Sequence, residues 1–256
     1  MKHIIACRPG CYDLPLPEAL IELKKTGLDH VELTTPLDND FVALSKITAA
    51  ADMKISSLSL DAQLDNPEQL ARLKSAIAGA AQLQVKIIFL AAALKQASYE
   101  TGIELLAGVA ERARQAGVVL SLETHPPFAH NAAMARRTVE AVHSAGLRYN
   151  FDTANIYYYN PRGIDTVEEL KQSLPYIASV HLKESAKGEP LSFNFPVFGE
   201  GIVNFPEVFK ILDAHGYSGP FTMELEGPLV DGLPTHERTQ KVMACVNYLR
   251  QIGALD

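Results

Sequence analysis

Residues 118–155 contain one complete repeat of the pattern that decides the fold, and they read VVLSLETHPPFAHNAAMARRTVEAVHSAGLRYNFDTAN. The segment opens with an apolar run, Val118–Leu122, which is typical of a buried strand. A longer stretch of helical period follows and ends near Gly146, and a second apolar run, Arg148–Phe151, begins directly afterwards. This order predicts a parallel βαβ unit, because parallel strands need a crossover long enough to hold a helix.

The same alternation continues from one end of the chain to the other. Eight short apolar runs are predicted as strands: His3–Cys7, His30–Leu33, Ile55–Leu60, Val85–Leu90, Val118–Leu122, Arg148–Phe151, Ser179–Leu182 and Phe221–Leu225. Helical patterns between them include Pro17–Lys25, Pro67–Leu83, Gly102–Ala116 and Pro206–His215. Glycines that suit a left-handed helix cap precede several of the strands, namely Gly27, Gly117, Gly146 and Gly216.

Eight such repeats predict an α/β protein whose strands close into a (β/α)8 TIM barrel. A length of 256 residues suits one domain of this kind, covering residues 1–256. An open, doubly wound sheet is the alternative, but it usually carries a glycine-rich phosphate turn after its first strand. The residues at that place, Arg8–Cys11, do not form one. The irregular segment Ser185–Asn204 follows the seventh strand and is expected to lie over the active-site face.

Composition argues against several classes of partner. A formal net charge of −7 provides no basic surface for a nucleic-acid backbone or an anionic membrane. The three cysteines, Cys7, Cys11 and Cys245, suit free thiols better than disulfides or a C-x3-C metal pair. The sequence shows neither a signal-peptide core nor a membrane span. We therefore expect a cytoplasmic protein that binds a small molecule, and whether it forms a homo-oligomer is left open.

Four side chains are predicted to meet at the barrel mouth, because active sites in this architecture lie at the C-terminal ends of the strands. Glu123, Asp152, His181 and Glu224 each fall near the end of one of the last four strands. The first two intervals are 29 residues each, one βα unit, and the third is lengthened by the irregular segment. Three carboxylates and one imidazole form a mostly oxygen site for one divalent ion, which favours Mn²⁺, with Mg²⁺, Co²⁺ or Zn²⁺ as alternatives.

Each of these residues also has a purely structural interpretation. Asp152 could cap the turn that follows it, and His181 could be a hydrogen-bonded histidine of the core. Glu226 lies two residues after Glu224, so it would face the same side of a strand, but it suits a salt bridge at the rim. Tyrosines 157–159 either wall the pocket or pack within the loop, and packing is slightly favoured. The four predicted ligands each occupy an inward-facing position, lie at the same rim of the barrel and come from consecutive strands. This agreement favours the metal site.

Five segments carry a resemblance to a known family: LETH (122–125), FDTAN (151–155), VHLKE (180–184), FGEGIVNF (198–205) and GYSGPFTME (216–224). In this order they resemble the xylose isomerase-like TIM barrel superfamily, in particular its sugar phosphate isomerase/epimerase branch. The resemblance implies the following site residues: Glu123, Asp152, His181 and Glu224 as metal ligands, Glu123 and Glu224 as the acid–base pair, and His125, Asn155, Lys183 and Lys187 as substrate-binding positions. Ketose epimerases tend to carry His where Asn155 stands and an Arg at the position that Lys187 loosely matches.

The expected activity is that of a divalent-metal-dependent sugar isomerase or epimerase that acts on a ketose, a keto-sugar or a related hydroxy-carbonyl compound. Substrate oxygens would bind the metal, and Glu123 and Glu224 would move the proton through a metal-stabilised enediolate. His125 and Lys183 would stabilise developing oxyanion charge or orient a metal ligand.

Other functions use the same residues differently. A metal-dependent dehydratase or lyase of a keto-inositol or 3-keto-glycoside would abstract the same proton but expel a leaving group. An endonuclease IV-like nuclease needs further ligands on the early strands, which offer only His3, Glu32 and Asp61 as poor candidates. A non-catalytic sugar-binding barrel is the remaining alternative.

Overall fold

A computed structural model describes residues 3–255, so the first two residues and the last one of the predicted 1–256 domain lie outside the described residues. Eight parallel strands form a closed barrel in which each strand pairs with the next along the chain and the last pairs with the first. The strands are β1 (Ile4–Cys7), β2 (His30–Thr34), β3 (Lys54–Gln63), β4 (Ile87–Ala93), β5 (Val119–Glu123), β6 (Leu147–Asp152), β7 (Ile177–Leu182) and β8 (Pro220–Met223). The predicted (β/α)8 barrel is confirmed.

Helices connect the strands on the outside of the barrel. They are α1 (Leu16–Lys25), α2 (Phe41–Ala50), α3 (Pro67–Gln82), α4 (Tyr99–Gln115), α5 (Ala132–Val142), α6 (Asn155–Tyr158), α7 (Thr166–Ser173), α8 (Phe205–His215) and α9 (Thr235–Gln251). Short polar side chains accept first-turn N–H groups, which have no helical carbonyl partner, at Asp40, Asn66, Ser98, Asn131, Asp165 and Asn204. Within residues 3–255, no helix combines the length and apolar character needed to cross a membrane.

Two neighbouring strands extend beyond their predicted ends. β3 continues to Gln63 and β4 continues to Ala93, and these two residues pair with each other. The predicted start of the fourth strand was wrong, since Val85 precedes it and donates its N–H to the carbonyl of Ala80 in α3. The alanines at the end of β4 carry no apolar alternation, so the pairing itself decides where this strand ends.

Polar residues hydrogen-bond to one another inside the barrel. The hydroxyl groups of Ser121 and Ser179 lie 2.7 Å apart, and the Asn150 amide donates to the Ser179 hydroxyl at 2.7 Å. All three side chains are fully buried. Buried polar groups are tolerated when they have partners, so this network extends polar surroundings from the barrel mouth into its interior.

Three of the four glycines expected to cap helices have the left-handed backbone that such caps require. Gly27, Gly117 and Gly216 have φ of 85°, 68° and 76°. The prediction for Gly146 was wrong, because α5 ends earlier and His143 takes the left-handed conformation with φ of 51°. Gly146 is needed for a close contact instead, since a Cβ there would lie 1.9 Å from the Ala110 carbonyl oxygen of α4.

We predict that Gly146→Ala lowers the free energy of unfolding by about 2 kcal/mol or more, because the added Cβ would push the backbone at residue 146 away from the backbone of α4. Gly108→Ala is the matched control: it lies in α4 with nothing within 4 Å of an added Cβ, and it should stabilise the fold by about 0.5–1 kcal/mol. Urea unfolding of both variants checks this. Equal stability of the two variants would contradict the account.

Candidate active site

Three of the predicted metal ligands converge at the C-terminal mouth of the barrel. Asp152 ends β6, His181 lies beside it in β7, and Glu224 directly follows β8. All three are buried, and one ligand atom from each lies within 4.8 Å of the others. The register of the parallel strands produces this convergence, because Asp152 pairs with His181 and the Glu224 N–H bonds to the carbonyl of Leu182.

Glu123 stands apart from this group of three. It ends β5, where its carboxylate accepts a hydrogen bond of 3.3 Å from the side-chain amide of Asn155. It lines the same cavity as Glu224 and Lys183. The structure therefore brings Glu123 to the site, but not into the cluster of Asp152, His181 and Glu224.

The Asp152 carboxylate has one oxygen in use and one available. Its Oδ1 accepts the N–H groups of Ala154 and Asn155, both at 2.8 Å, which is the capping role that the sequence also suggested. Its Oδ2 is buried and has no hydrogen-bond partner among the described residues, although the Lys183 ammonium group lies 3.5 Å away. A buried carboxylate oxygen of this kind, beside an imidazole and a second carboxylate, fits the donor set that a divalent cation needs.

The ammonium group of Lys183 lies among the acidic side chains of the mouth. Its Nζ is 2.6 Å from both Glu224 Oε2 and Glu226 Oε1, and 3.5 Å from Asp152 Oδ2. Burial disfavours the charged amine, but Asp152, Glu224 and Glu226 outweigh it and raise the pKa of Lys183 well above its usual range. Lys183 is therefore a fixed positive charge that offsets these carboxylates, and Glu226 forms the salt bridge expected of it.

His181 is held from its far side by Glu32. Its Nε2 lies 3.1 Å from Glu32 Oε1, its Nδ1 lies 3.3 Å from Glu224 Oε2, and its ring stacks on Phe89 at 4.3 Å. Glu32 is buried in β2 and also accepts the hydroxyl of Ser57 at 2.8 Å. Burial alone would lower the pKa of His181, but the two carboxylates raise it to about 10.

Sequence reasoning considered Glu32 only as a poor ligand for a multinuclear site, and so missed its contact with His181. The available signal was an acidic residue between the apolar residues Val31 and Leu33 of β2. Arg8 was also missed: its guanidinium pairs with Glu224, lies 3.8 Å from Glu32, and covers the ring of Phe89 at 5.5 Å.

Arg8, Glu224 and Glu226 line two adjoining cavities at the mouth. The cavity beside Glu32, which we call the β2-side cavity, has a volume of about 420 Å³. The cavity beside Glu123, the β5-side cavity, has a volume of about 390 Å³. Cavities of this size suit a small molecule, since such sites commonly measure roughly 300–1,000 Å³.

The predicted substrate-binding residues do not all reach these cavities. His125, Asn155 and Lys183 line the β5-side cavity, together with Tyr158 and Tyr159. Tyr157 is buried in the core, so the three tyrosines divide between the two roles considered for them. Lys187 is exposed and lines neither cavity. The structure does not place Lys187 in the pocket, since the chain passes from buried Ser185 to exposed Lys187.

Glu184 organises the segment that follows β7, a role the sequence did not reveal. Its buried carboxylate accepts the backbone N–H groups of Ser185, Gly199 and Val203, each at 2.9 Å. These bonds tie both ends of the irregular segment to the residue next to Lys183. Within this segment, Phe193 and Phe195 line the β5-side cavity.

The carboxyl group of Glu123 should couple folding to pH. Burial, reinforced by the nearby charge of Glu224, raises its pKa to about 8. The folded protein therefore keeps this proton at pH values where the unfolded chain, with an ordinary pKa near 4.5, has lost it. The contribution of Glu123 to stability is complete below its pKa in the unfolded chain, near 4.5, and is lost as the pH rises toward its pKa in the folded protein, about 8.

We predict that metal-free protein loses stability between pH 5 and 6.5, and that Glu123→Gln loses less, by roughly 1 kcal/mol per pH unit. His181, whose pKa is raised from 6.5 to about 10, also makes stability fall with rising pH, but only above the chosen window. Urea unfolding in the presence of a chelator measures the difference. Parallel stability profiles for the two proteins would show that Glu123 does not hold a proton in the fold.

Comparison with known proteins places this site in context. The L-ribulose-5-phosphate 3-epimerase UlaE of Escherichia coli (strain SMS-3-5 / SECEC) is 25% identical over 250 residues, covering 84% of this chain and 86% of that protein. D-psicose 3-epimerase from Clostridium cellulolyticum H10, solved with D-tagatose, superposes with a TM-score of 0.77 at 16% identity and covers 100% of both chains. A xylose isomerase-like TIM barrel protein from Mycobacterium smegmatis, in complex with magnesium, has a TM-score of 0.76 at 18% identity and covers 99% of this chain and 97% of that one.

At these identities the two solved structures support the fold alone. The family is shown by a different comparison, in which the model for the xylose isomerase-like TIM barrel matches residues 20–251. That match includes the four predicted metal ligands and seven of the eight strands. The chain belongs to the xylose isomerase-like TIM barrel family.

Proposed function

We propose that the protein is a divalent-metal-dependent epimerase of ketoses, of the kind that inverts the carbon next to the carbonyl group. One observation carries the proposal: Glu123 and Glu224, from different strands, line a single cavity beside the buried cluster of Asp152, His181 and Glu224. The relative from Escherichia coli and the Clostridium structure, both named as ketose 3-epimerases, support it.

Asp152, His181 and Glu224 would hold the metal, with Glu123 as the fourth ligand. Carboxylate oxygens outnumber nitrogen in this set, and Cys7, at the end of β1, and Cys11 are buried but are not part of it. Such a donor set favours Mn²⁺ or Mg²⁺ over a thiolate-bound zinc. When bound, the ion would supply Lewis-acid polarisation of the substrate's carbonyl and hydroxyl oxygens, which acidifies the adjacent C–H.

Glu123 and Glu224 are the proposed proton acceptor and donor. Epimerisation needs one group to remove the proton from one face and a second group to return it to the other. The Asn155 amide holds the Glu123 carboxylate, and Lys183 and Arg8 hold that of Glu224. These contacts fix both groups before the substrate arrives, which reduces the cost of orienting them.

Incubation of the metal-loaded protein with ketoses in D₂O tests this function. We expect deuterium at the carbon next to the carbonyl and a product of unchanged mass. Glu224→Gln should reduce the rate by at least about a hundredfold, since it removes a proton-transfer group. Glu104→Gln, on the outer helix α4, is the matched control and should keep the wild-type rate. A product that has lost water or an aglycone would instead identify a lyase, and deuterium incorporation unaffected in Glu224→Gln would remove this residue from the mechanism.

Glu32 should control metal binding through His181. Carboxylates that accept the second N–H of a metal-binding histidine fix its tautomer and ring orientation, and losing one weakens binding about 10–100-fold. We expect Glu32→Leu to raise the Kd for Mn²⁺ by this amount, and Glu32→Gln, which keeps an acceptor oxygen, to raise it less. Titration calorimetry measures both values, and circular dichroism of the metal-free proteins checks their fold. A Kd unchanged in both variants would show that the Glu32 contact has no such role.

A further inference from the structure

Acidic side chains outnumber basic ones in the lining of the two cavities. The carboxylates are Glu32, Asp61, Glu123, Glu224, Glu226 and Asp231, whereas Arg8 and Lys183 are the lysine and arginine residues that line them within the described part of the chain. The two positive charges of a divalent ion would still leave carboxylates in excess. The place where a substrate would bind is therefore negatively charged.

Both cationic side chains are already engaged by carboxylates. Arg8 pairs with Glu224 and lies 3.8 Å from Glu32. Lys183 lies 2.6 Å from both Glu224 and Glu226. An anionic ligand would therefore have to compete with these carboxylates for both cations, and drawing either cation away from buried Glu224 is unfavourable.

Two further cations of the surrounding segments, Lys187 and Arg162, do not line the cavities. Lys187 is exposed and lines neither of them. Arg162 is largely exposed and pairs with Glu189 at 2.9 Å on the outer surface. The exposed carboxylates at the cavity rims, Asp61 and Asp231, add negative potential where a charged group of a ligand would enter.

We propose that the substrate is an uncharged ketose and that its phosphate ester is excluded. This rests on the proposed function and narrows it, since the Escherichia coli relative is named for a phosphorylated sugar. Arg and Lys side chains commonly bind phosphate groups, and within residues 3–255 none free of a carboxylate lines these cavities, whereas sugar hydroxyls donate readily to carboxylates. The rings of Tyr158, Tyr159 and Phe193 in the β5-side cavity offer apolar surface for the C–H groups of a sugar.

The test compares each free sugar with its own terminal phosphate ester. L-ribulose and D-psicose are titrated into the Mn²⁺-loaded protein by calorimetry, and each phosphate ester is titrated in parallel. We expect the free sugar to bind at least about tenfold more tightly, because like charges in a low-dielectric site repel each other. The difference should shrink between 0.05 and 0.5 M NaCl, since salt screens this repulsion.

Charge variants sharpen the comparison. Asp61→Asn and Asp231→Asn should each shift the ratio of the two Kd values toward the phosphate ester by roughly twofold to fivefold, the range of an exposed ion interaction. Glu104→Gln makes the same change in net charge on the outer helix α4 and should leave the ratio unchanged.

The outcomes separate this inference from the proposed function. A phosphate ester that binds as tightly as its free sugar, or more tightly, overturns the inference, and deuterium exchange with that ester would leave the epimerase proposal intact. Preferred binding of the free sugar without any deuterium exchange would support the inference about the ligand while contradicting the epimerase.

Discussion

The site depends on the pairing of buried carboxylates with positive charge at the barrel mouth. Asp152 and Glu224 lie where water is largely excluded, so their negative charges repel each other with little screening. In the structure, Lys183, Arg8 and His181 balance them, and together they hold the pKa of Glu224 well below its usual range although burial opposes this. Buried acid of this kind needs positive charge beside it, and Lys183, Arg8 and His181 supply that charge in the structure.

The surrounding residues keep these charges in place. Glu32 fixes one side of His181 while Phe89 packs against its ring, and Glu184 anchors the segment after β7 through three backbone N–H groups. These contacts preserve the geometry of His181 and of the segment beside Lys183, so the chemistry of the mouth rests on buried hydrogen bonds in neighbouring strands.

The sequence was sufficient to predict the barrel and the convergence of Asp152, His181 and Glu224. Local alternation identifies the strands, and a closed parallel barrel places their C-terminal ends at one mouth, so strand ends alone locate the three side chains. The position of Glu123, outside that group but beside it, depends on how far each side chain extends, which no strand pattern records. The metal ligation and catalytic roles assigned to these residues stay predictions.

Contacts between distant parts of the chain account for what was missed. Glu32 meets His181 across 149 residues of sequence, and Arg8 meets Glu224 across 216. Neither contact follows from local periodicity, because each needs the barrel to be closed. Gly146 was mistaken for a helix cap because sequence alone does not show that α4 passes within contact distance of it. Lys187 was expected in the pocket only through a loose match to the family's Arg position, and such a match does not record how exposed the side chain is.

A crystal structure of the protein soaked with Mn²⁺, with anomalous data collected at the manganese edge, tests the central claim most directly. The account predicts one strong peak within about 2.5 Å of oxygen or nitrogen atoms of Asp152, His181 and Glu224. It also predicts that the Lys183 ammonium group withdraws from Asp152. A map with no peak at these residues, or with Lys183 still in contact with both Asp152 and Glu224, would contradict it.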